Sequence, residues 1–357
     1  MEIKLITTTP NKTDLVTWRI NMVKILYTVF GVMFFFSNTL VAETIGIYTH
    51  RQPFLLEPIL EAYTQKTGIG FQTVYAPQGL ATRIETEGEN TKADIVLTVD
   101  ISRIKELADT NLLAPFESSI IRDNVPSHLR DANDKWTALS LRARIIAVSK
   151  ERVGKEAITS IEELALPKWK GRVCSRRGSH VYNRAVLASL IAHNGVEEAK
   201  KWALGFVDNL ARRPQGNDRA QAKAIFTGQC DVALMNTYYF GKMKFSEEHP
   251  EQREWADSME IAFINQNGRG QHMNISAAGI LEGSKKKQLA REFLEWLTSK
   301  EAQLIYTEVN FEYPVNPNSE YSKEVASWGL FKMDDLPMNV IAEQSPMAQR
   351  IINETGW

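Results

Sequence analysis

The stretch that decides the fold is Asp231–Phe240, which reads DVALMNTYYF. Its first half is a short apolar run behind a turn signal at Gly228, as expected of a buried strand. In an open α/β sheet, ligands bind beyond the carboxyl ends of the strands, which is where the two tyrosines lie. Adjacent residues leaving a strand point in opposite directions, so Tyr238 and Tyr239 converge only if the backbone bends near Asn236. Ordinary aromatic packing at a strand edge is the other interpretation of this stretch.

The overall composition is that of an ordinary globular chain. Its 357 residues are 43% hydrophobic and 24% charged, which is enough material for two cores of common domain size. The formal net charge is −1, and without residues 1–42 the chain has 38 basic and 41 acidic side chains, or −3. A weakly acidic protein lacks the basic excess that displaces counterions from phosphates. Nucleic acid is therefore not expected as a partner.

The first 42 residues predict export. Lys24 precedes the apolar run Ile25–Phe36, which has the length of a signal-peptide core, and a small residue, Ala42, follows it. We expect a signal peptide over residues 1–42, cleaved near Ala42, with Met1 or Met22 as the true start. An uncleaved membrane anchor is the alternative, although the run is short for a transmembrane helix.

Strand-like and helix-like segments alternate along the chain. The predicted early strands are 43–48, 71–75 and 94–98, and the predicted helices between them are 55–66 and 81–87. This alternation at short spacing predicts a parallel sheet covered by helices, and the fold class is therefore α/β.

Two longer strand-like stretches, 136–148 and 273–280, are candidates for crossing from one domain to another. The first exceeds the usual length of a strand. We therefore expect two α/β lobes joined by crossing hinge strands. The predicted N-terminal lobe comprises residues 43–141 and 266–316, and the predicted C-terminal lobe comprises residues 142–265 and 317–357.

Cys174 and Cys230 are the only cysteines. In an oxidising compartment an even count permits a disulfide. Each cysteine lies in or beside a strand-like run and eight residues before a tyrosine, Tyr182 or Tyr238. Two parallel strands of one sheet would bring the sulfurs together. A bridge and two buried free thiols both remain open at this point.

Signatures of catalysis are missing from the sequence. It contains no Gly-x-Ser-x-Gly motif, no glycine-rich phosphate loop and no His-Glu-x-x-His motif, and the cysteines lack zinc-binding spacing. We find no nucleophile that pairs with a base, so we do not expect an enzyme.

A basic loop, Ser175–His180, lies between a predicted strand and a helix that begins at Tyr182. Backbone amides at a helix start, together with Arg176, form an anion site. Tyr182 would then stand at the mouth of the same sheet as Tyr238 and Tyr239. Three tyrosines at strand ends beside a basic loop are more than packing requires.

The chemistry that matches three phenols is the binding of a hard, highly charged cation. Phenolate oxygens suit hard metals, whereas thiolates suit soft ones. A free phenol has a pKa of about 10, so near neutral pH only a strongly charged metal displaces its proton. Ferric iron does this, and arginine with a small anion such as carbonate completes the charge balance. Binding must then weaken as acid restores the phenol protons.

Six motifs, in order along the chain, carry a family resemblance. They are IYTHRQPF (47–54), LRAR (141–144), CSRRGSHVYN (174–183), QCDVALMNTYY (229–239), MNISAAG (273–279) and NFEYPVNP (310–317). With these motifs, residues 43–320 resemble the periplasmic ferric-ion-binding proteins, the iron-capturing components of bacterial ATP-driven (ABC-type) importers.

The resemblance implies a type II-like periplasmic-binding-protein fold that closes over Fe(III), with Tyr182, Tyr238 and Tyr239 as phenolate ligands. It also implies a periplasmic location and delivery of the iron to an inner-membrane ABC permease and its ATPase. A monomer is expected. The residues expected to hold an anion or to support the ligands are Arg51, Arg142, Arg176, Ser179 and Asn183.

The loop after the first strand departs from the family pattern, because Gln52 and Pro53 replace the usual His-Tyr pair after the arginine. His50 is the remaining candidate for a fourth protein ligand. Otherwise carbonate or water, held by Arg142 or Arg176, fills that position. The same fold also binds small organic or anionic solutes such as polyamines, phosphate or thiamine, and this is the alternative function.

Overall fold

The computed structural model describes residues 43–153 and 158–357. The predicted signal peptide and its cleavage site lie outside the described residues. Among the helices of the described ranges, we find none with the length and apolar character needed to cross a membrane.

Helices and strands alternate as the sequence pattern predicts. The strands are β1 (Thr44–Thr49), β2 (Gly70–Tyr75), β3 (Ile95–Thr98), β4 (Leu113–Ala114), β5 (Thr137–Ser149), β6 (Val173–Cys174), β7 (Val232–Asn236), β8 (Met259–Ala262) and β9 (Met273–Leu281). The first seven helices are α1 (Pro53–Thr67), α2 (Leu80–Glu87), α3 (Ile101–Asp109), α4 (Ser119–Asn124), α5 (Val181–Asn194), α6 (Val196–Asp208) and α7 (Asp218–Phe226). The others are α8 (Thr237–Lys244), α9 (Glu251–Asp257), α10 (Lys287–Leu297), α11 (Lys300–Val309), α12 (Lys323–Ser327), α13 (Met338–Glu343) and α14 (Ser345–Thr355).

The strands form one mixed sheet in the order β2-β1-β3-β9-β5-β7-β6, with β4 paired to β9 and β8 paired to β5. Strand β1 runs parallel to β2 and β3, and β6 runs parallel to β7. Strands β5 and β9 run antiparallel to their neighbours. The α/β class is confirmed. The parallel pairing predicted from the early strands is found among β1, β2 and β3, and the antiparallel strands β5 and β9 make the whole sheet mixed.

Strand β5 crosses between the two halves of the sheet. Its residues Thr137–Ala143 pair with β9, and Arg144–Val148 pair with β7. All of its side chains are buried, including the polar Ser140 and the charged Arg142 and Arg144. Among the described strands, β9 pairs with β3, β4 and β5 and with none of the strands of the second half. The chain therefore passes back to the first half before β9 begins. The lobe boundary proposed at residue 142 lies next to the change of partner in β5.

The C-terminal residue fixes the basic loop against the second half of the protein. The ring of Trp357 packs on Trp202 and Phe206, with centroid separations of 5.6 and 4.8 Å. Its indole nitrogen donates to Ser175 Oγ at 3.0 Å, and its carbonyl accepts from the Gly178 nitrogen at 3.1 Å. A Cβ at Gly178 would lie 2.7 Å from the indole ring, so only glycine permits this approach. The loop before α5 is thereby held in one position.

Cys174 and Cys230 form a disulfide in the structure, with their Cα atoms 5.8 Å apart. Cys174 ends β6, and Cys230 lies just before the parallel strand β7. The bridge links positions 56 residues apart. It joins the end of β6, which leads to the loop before Tyr182, to the start of β7, which leads to Tyr238.

We expect the unfolded, unreduced protein to contain no titratable thiol. Replacing both Cys174 and Cys230 by serine should lower the free energy of unfolding by about 2–4 kcal/mol, because the unfolded chain loses a cross-link. Thiol titration with and without reductant, followed by denaturant unfolding of the double variant, provides the measurement. Two thiols before reduction would contradict the bridge.

Candidate metal centre

Tyr238 and Tyr239 lie in the first turn of α8, directly after β7. The sequence predicted a bend near Asn236, and the structure begins a helix at Thr237 instead. Successive helical side chains are separated by about 100° rather than the 180° of a strand, so two adjacent phenols fit on one side. Their rings stack with centroids 4.2 Å apart and an interplanar angle of 28°.

Tyr182 lies in the first turn of α5, which follows β6 and the basic loop. His180 is the N-cap of this helix, and its Nδ1 accepts a hydrogen bond from the Tyr182 nitrogen at 3.3 Å. The His180 ring also contacts the Tyr182 ring edge-on at 4.5 Å. This pair of contacts fixes the direction in which the phenol leaves the helix.

The three phenols meet at the carboxyl ends of the parallel strands β6 and β7. The hydroxyl oxygens of Tyr182 and Tyr238 are 3.5 Å apart. All three side chains line a cavity of about 280 Å³, together with His50, Arg103, Arg176, Arg219 and Lys242, among others. The alternative of separate aromatic packing at a strand edge does not describe this arrangement.

The phenols of the tyrosine pair are protonated at neutral pH in the absence of a cation. Burial, followed by the neighbouring tyrosines, raises the pKa of Tyr238 well above its usual range. Burial also raises the pKa of Tyr239 to about 12. Loss of these protons near neutral pH therefore requires a strong positive charge at the oxygens.

Three arginines surround the Tyr182 ring. The guanidinium carbons of Arg142, Arg144 and Arg176 lie 5.4, 5.8 and 5.4 Å from its centroid. At such distances a guanidinium group is attracted to the face of the ring. A fourth arginine, Arg219, lies 5.1 Å from the centroid of Tyr239.

Asp218 holds two of these arginines in place. This fully buried carboxylate is paired with Arg144 and, at 3.0 Å, with Arg176. It also accepts from the Asn236 nitrogen at 2.9 Å, at the start of the tyrosine helix. Burial opposes its charge, yet the two arginines and this backbone N–H hold the pKa of Asp218 below its usual range. Asp218 thus connects Tyr182's arginines to the helix of the tyrosine pair.

His50 reaches the tyrosine cavity from the first half of the protein. It is 9% exposed, and its Nδ1 has no hydrogen-bond partner within residues 43–153 and 158–357. Burial and the charge of Arg103 lower the pKa of His50 to about 3. Its imidazole is therefore neutral at physiological pH and has a lone pair available for a cation.

The other predicted supporting residues are placed differently. Arg51 and Arg142 are buried behind the cavity, where both donate to Ser276 Oγ at 2.6 and 2.9 Å. The Asn183 side chain donates to the Ser175 hydroxyl and accepts from Arg144, so it is occupied by the protein itself. Ser179 is exposed and lines a neighbouring cavity. Among the five residues expected around an anion, Arg176 alone lines the tyrosine cavity.

Residues that the sequence reasoning missed include Asp218, Arg219 and Arg103. Asp218 begins a helix after Asn217, and an acidic residue there has an ordinary explanation in the helix dipole. Its partner Arg144 is 74 positions away, and no local pattern joins the two. Only the fold brings them together.

The chain is similar to known proteins along most of its length. Residues 90–333 match a family described as bacterial extracellular solute-binding protein. The iron uptake protein A1 of Synechocystis sp. is 38% identical over 316 residues, covering 88% of each chain.

Two solved structures are similar in both sequence and fold. The apo ferric ion-binding protein A of Pasteurella haemolytica is 41% identical with a TM-score of 0.83, covering 88% of this chain and 98% of that one. The Trichodesmium FutA protein, solved with iron and citrate ligands, is 37% identical with a TM-score of 0.83, covering 88% and 99%. The two-lobed solute-binding fold and the predicted resemblance are confirmed. The chain belongs to the bacterial extracellular solute-binding protein family.

Proposed function

We propose that this protein captures Fe(III) in the periplasm through the phenolates of Tyr182, Tyr238 and Tyr239 and delivers it to an ABC importer. The observation that carries the proposal is the convergence of the three phenols. The hydroxyls of Tyr182 and Tyr238 are 3.5 Å apart, and the rings of the tyrosine pair stack at 4.2 Å.

The donor chemistry favours a hard cation. In the part of the chain that the structure describes, no group of three or more His, Cys, Asp or Glu side chains is placed to hold a metal ion. The phenols, with His50 beside them, are therefore the donors available for a metal in this cavity. Phenolate oxygen suits a trivalent ion, and three phenolates offset the three charges of ferric iron.

A small anion completes the site beside Arg176. This arginine lines the cavity and has Asp218 as its ion-pair partner, whereas Arg142 is already bound to backbone carbonyls and Ser276. The cluster of Asp218 with its two arginines has a net charge of +1, because two guanidinium groups pair with one carboxylate. Carbonate would offset that charge, whereas water in its place would fill the position on the ion without offsetting it. His50 is the candidate for a further ligand from the opposite side of the cavity.

Capture and release follow from the architecture. The phenols all lie in the second half of the protein, so iron binds the open form first. Closure about the crossing strand β5 then brings His50 onto the ion and excludes water. The closed form is recognised by the permease and its ATPase, and the protein works as a monomer. The related ferric ion-binding protein A of Pasteurella haemolytica supports ferric iron as the cargo.

Titration with ferric nitrilotriacetate tests the proposal. We expect one iron per chain and a visible phenolate-to-iron charge-transfer band. Thermal unfolding in the presence of phosphate, a polyamine or thiamine serves as the parallel assay. A colourless protein that is stabilised by one of these solutes would support the alternative function instead.

Iron binding should release protons and strengthen with pH. The pKa values of Tyr238 and Tyr239 lie above neutrality, so each phenolate formed on binding releases one proton. Each released proton makes the apparent affinity rise about tenfold per pH unit below the phenol pKa. Proton release in weakly buffered solution, corrected for the chelator, is the measurement. A variant that lacks one phenol should release one proton fewer per iron bound. An iron affinity that does not change with pH would contradict phenolate binding.

A further inference from the structure

The tyrosine helix α8 has a glycine in its interior, and a ring from a distant segment lies against it. Gly241 follows Tyr238 by three positions, so the two lie on one face of the helix. A Cβ at Gly241 would lie 2.8 Å from the Cβ of Phe311, which is closer than side chains pack. Glycine weakens a helix interior relative to alanine, so this close approach exists despite a loss of helix stability.

Phe311 has an unfavourable backbone conformation. Its φ of 57° lies in the left-handed region, which a bulky residue rarely adopts. Buried hydrogen bonds fix both of its neighbours. The Asn310 side chain donates to the Leu55 carbonyl at 2.8 Å. The Glu312 carboxylate pairs with Arg51 at 2.8 Å. A left-handed conformation of this kind persists only where the surrounding structure imposes it.

The Phe311 ring covers the face of α8 that carries Tyr238. It stacks on Phe245, at the end of the helix, with centroids 5.5 Å apart and an interplanar angle of 9°. The Lys242 ammonium lies 5.9 Å from the Phe311 centroid. The atoms of Phe311 nearest to Gly241 include Cβ and Cγ, which rotation of the ring does not move. The contact is therefore a fixed one.

This contact joins the two halves of the protein. Tyr313, two residues after Phe311, exchanges two backbone hydrogen bonds of 2.8 Å with the part of β5 that pairs with β9. Between them, Glu312 pairs with Arg51, the residue after His50. Helix α8, in contrast, follows β7 in the second half. Phe311 therefore connects the tyrosine pair to the segment that carries His50.

Two locally unfavourable features, a glycine inside a helix and a left-handed phenylalanine, thus meet at one contact beside the candidate metal centre. Local rules of this kind are broken mainly at functional sites. We propose that Phe311 is a positioning residue for the cation site, which acts through Gly241 to hold the tyrosine pair in the orientation that binds the ion. This inference rests on the proposed function.

A double-mutant cycle, with ferric affinity measured by competition against a chelator, tests the inference. Gly241→Ala should lower the affinity at least about tenfold and shift the charge-transfer band, because the new methyl group meets Phe311 and displaces the phenols. Phe311→Gly suits the left-handed backbone but removes the ring, and it should lower the affinity by a similar factor. Adding Gly241→Ala to Phe311→Gly should then change the affinity less than about twofold, since the ring that the methyl group would meet is gone.

Two matched controls lie outside the tyrosine cavity. Gly205→Ala makes a comparable collision inside α6, where a Cβ would lie 2.7 Å from the Ala165 carbonyl oxygen. Phe331→Gly removes a ring that stacks on Phe263 at the same interplanar angle of 9°. Both variants should lower stability and leave the ferric affinity and the charge-transfer band as in the parent. A loss of affinity in either control as large as that in Gly241→Ala would contradict a positioning role.

The outcomes separate the inference from the proposed function. A parent-like affinity of Gly241→Ala, or an equal loss with and without the Phe311 ring, would overturn the inference and leave ferric binding intact. Phe311→Gly decides the question alone if Gly241→Ala folds poorly, because a parent-like affinity there would also overturn it. A parent protein that binds no ferric iron would overturn the proposed function itself.

Discussion

Replacing Tyr238 by phenylalanine is expected to lower the apparent affinity for ferric iron by at least about a hundredfold, more than the loss of an outer-shell partner costs. The phenol of Tyr238 lies between the other two, 3.5 Å from the Tyr182 oxygen and stacked on Tyr239. Phenylalanine keeps the ring packing and removes only the donor oxygen. The charge-transfer band should weaken and shift, and fewer protons should be released per iron.

Tyr321→Phe provides the matched control. This tyrosine is 38% exposed and packs edge-on against Tyr313 at 5.9 Å, away from the cavity. Competition against a chelator of known affinity measures both variants under the same conditions. Equal iron affinities for Tyr238→Phe and Tyr321→Phe would show that the tyrosine pair does not bind the ion.

Replacing Asp218 by asparagine is expected to lower the free energy of unfolding by about 3–5 kcal/mol, because two buried arginines lose their counter-charge. Arg144 is 1% exposed, and Arg176 is 9% exposed. Both guanidinium groups are therefore largely withdrawn from bulk water. Since Asp218 also anchors the first residue before α8, the variant should bind iron more weakly as well.

Asp231→Asn is the control for this prediction, because Asp231 also pairs with two arginines. Arg152 and Arg172 each reach it at 2.6 Å, but both are about one-third exposed. Exposed ion pairs contribute about 0–1 kcal/mol, so the loss should be small. Denaturant unfolding of the two variants makes the comparison. A cost for Asp218→Asn no larger than that for Asp231→Asn would contradict the role of the buried cluster.

The sequence predicted the elements that carry the phenols because their signals are local. Tyr238 follows an apolar run by a few residues. Tyr182 follows a strand-like segment and a basic loop at similarly short distance. The helix that starts at Thr237 was missed, since the pattern TYYFGKMK has weak amphipathic character. The first turn of this helix nevertheless brings Tyr238 and Tyr239 to one side, which a bend near Asn236 was expected to do.

What the sequence could not predict depends on contacts between distant residues. Arg176 lies 42 positions from Asp218, and their pairing follows only from the folded sheet. Helices α12 and α13 are five and six residues long, too short to show a clear period. The neighbouring cavity that Ser179 lines is built from five separate segments, and no motif in the sequence marks it.

A crystal structure of the ferric-loaded protein, with anomalous data collected at the iron edge, tests the central claim most directly. We predict one anomalous peak within bonding distance of the hydroxyl oxygens of Tyr182, Tyr238 and Tyr239. A peak elsewhere on the protein, with the three phenols still protonated and bonded only to one another, would contradict it.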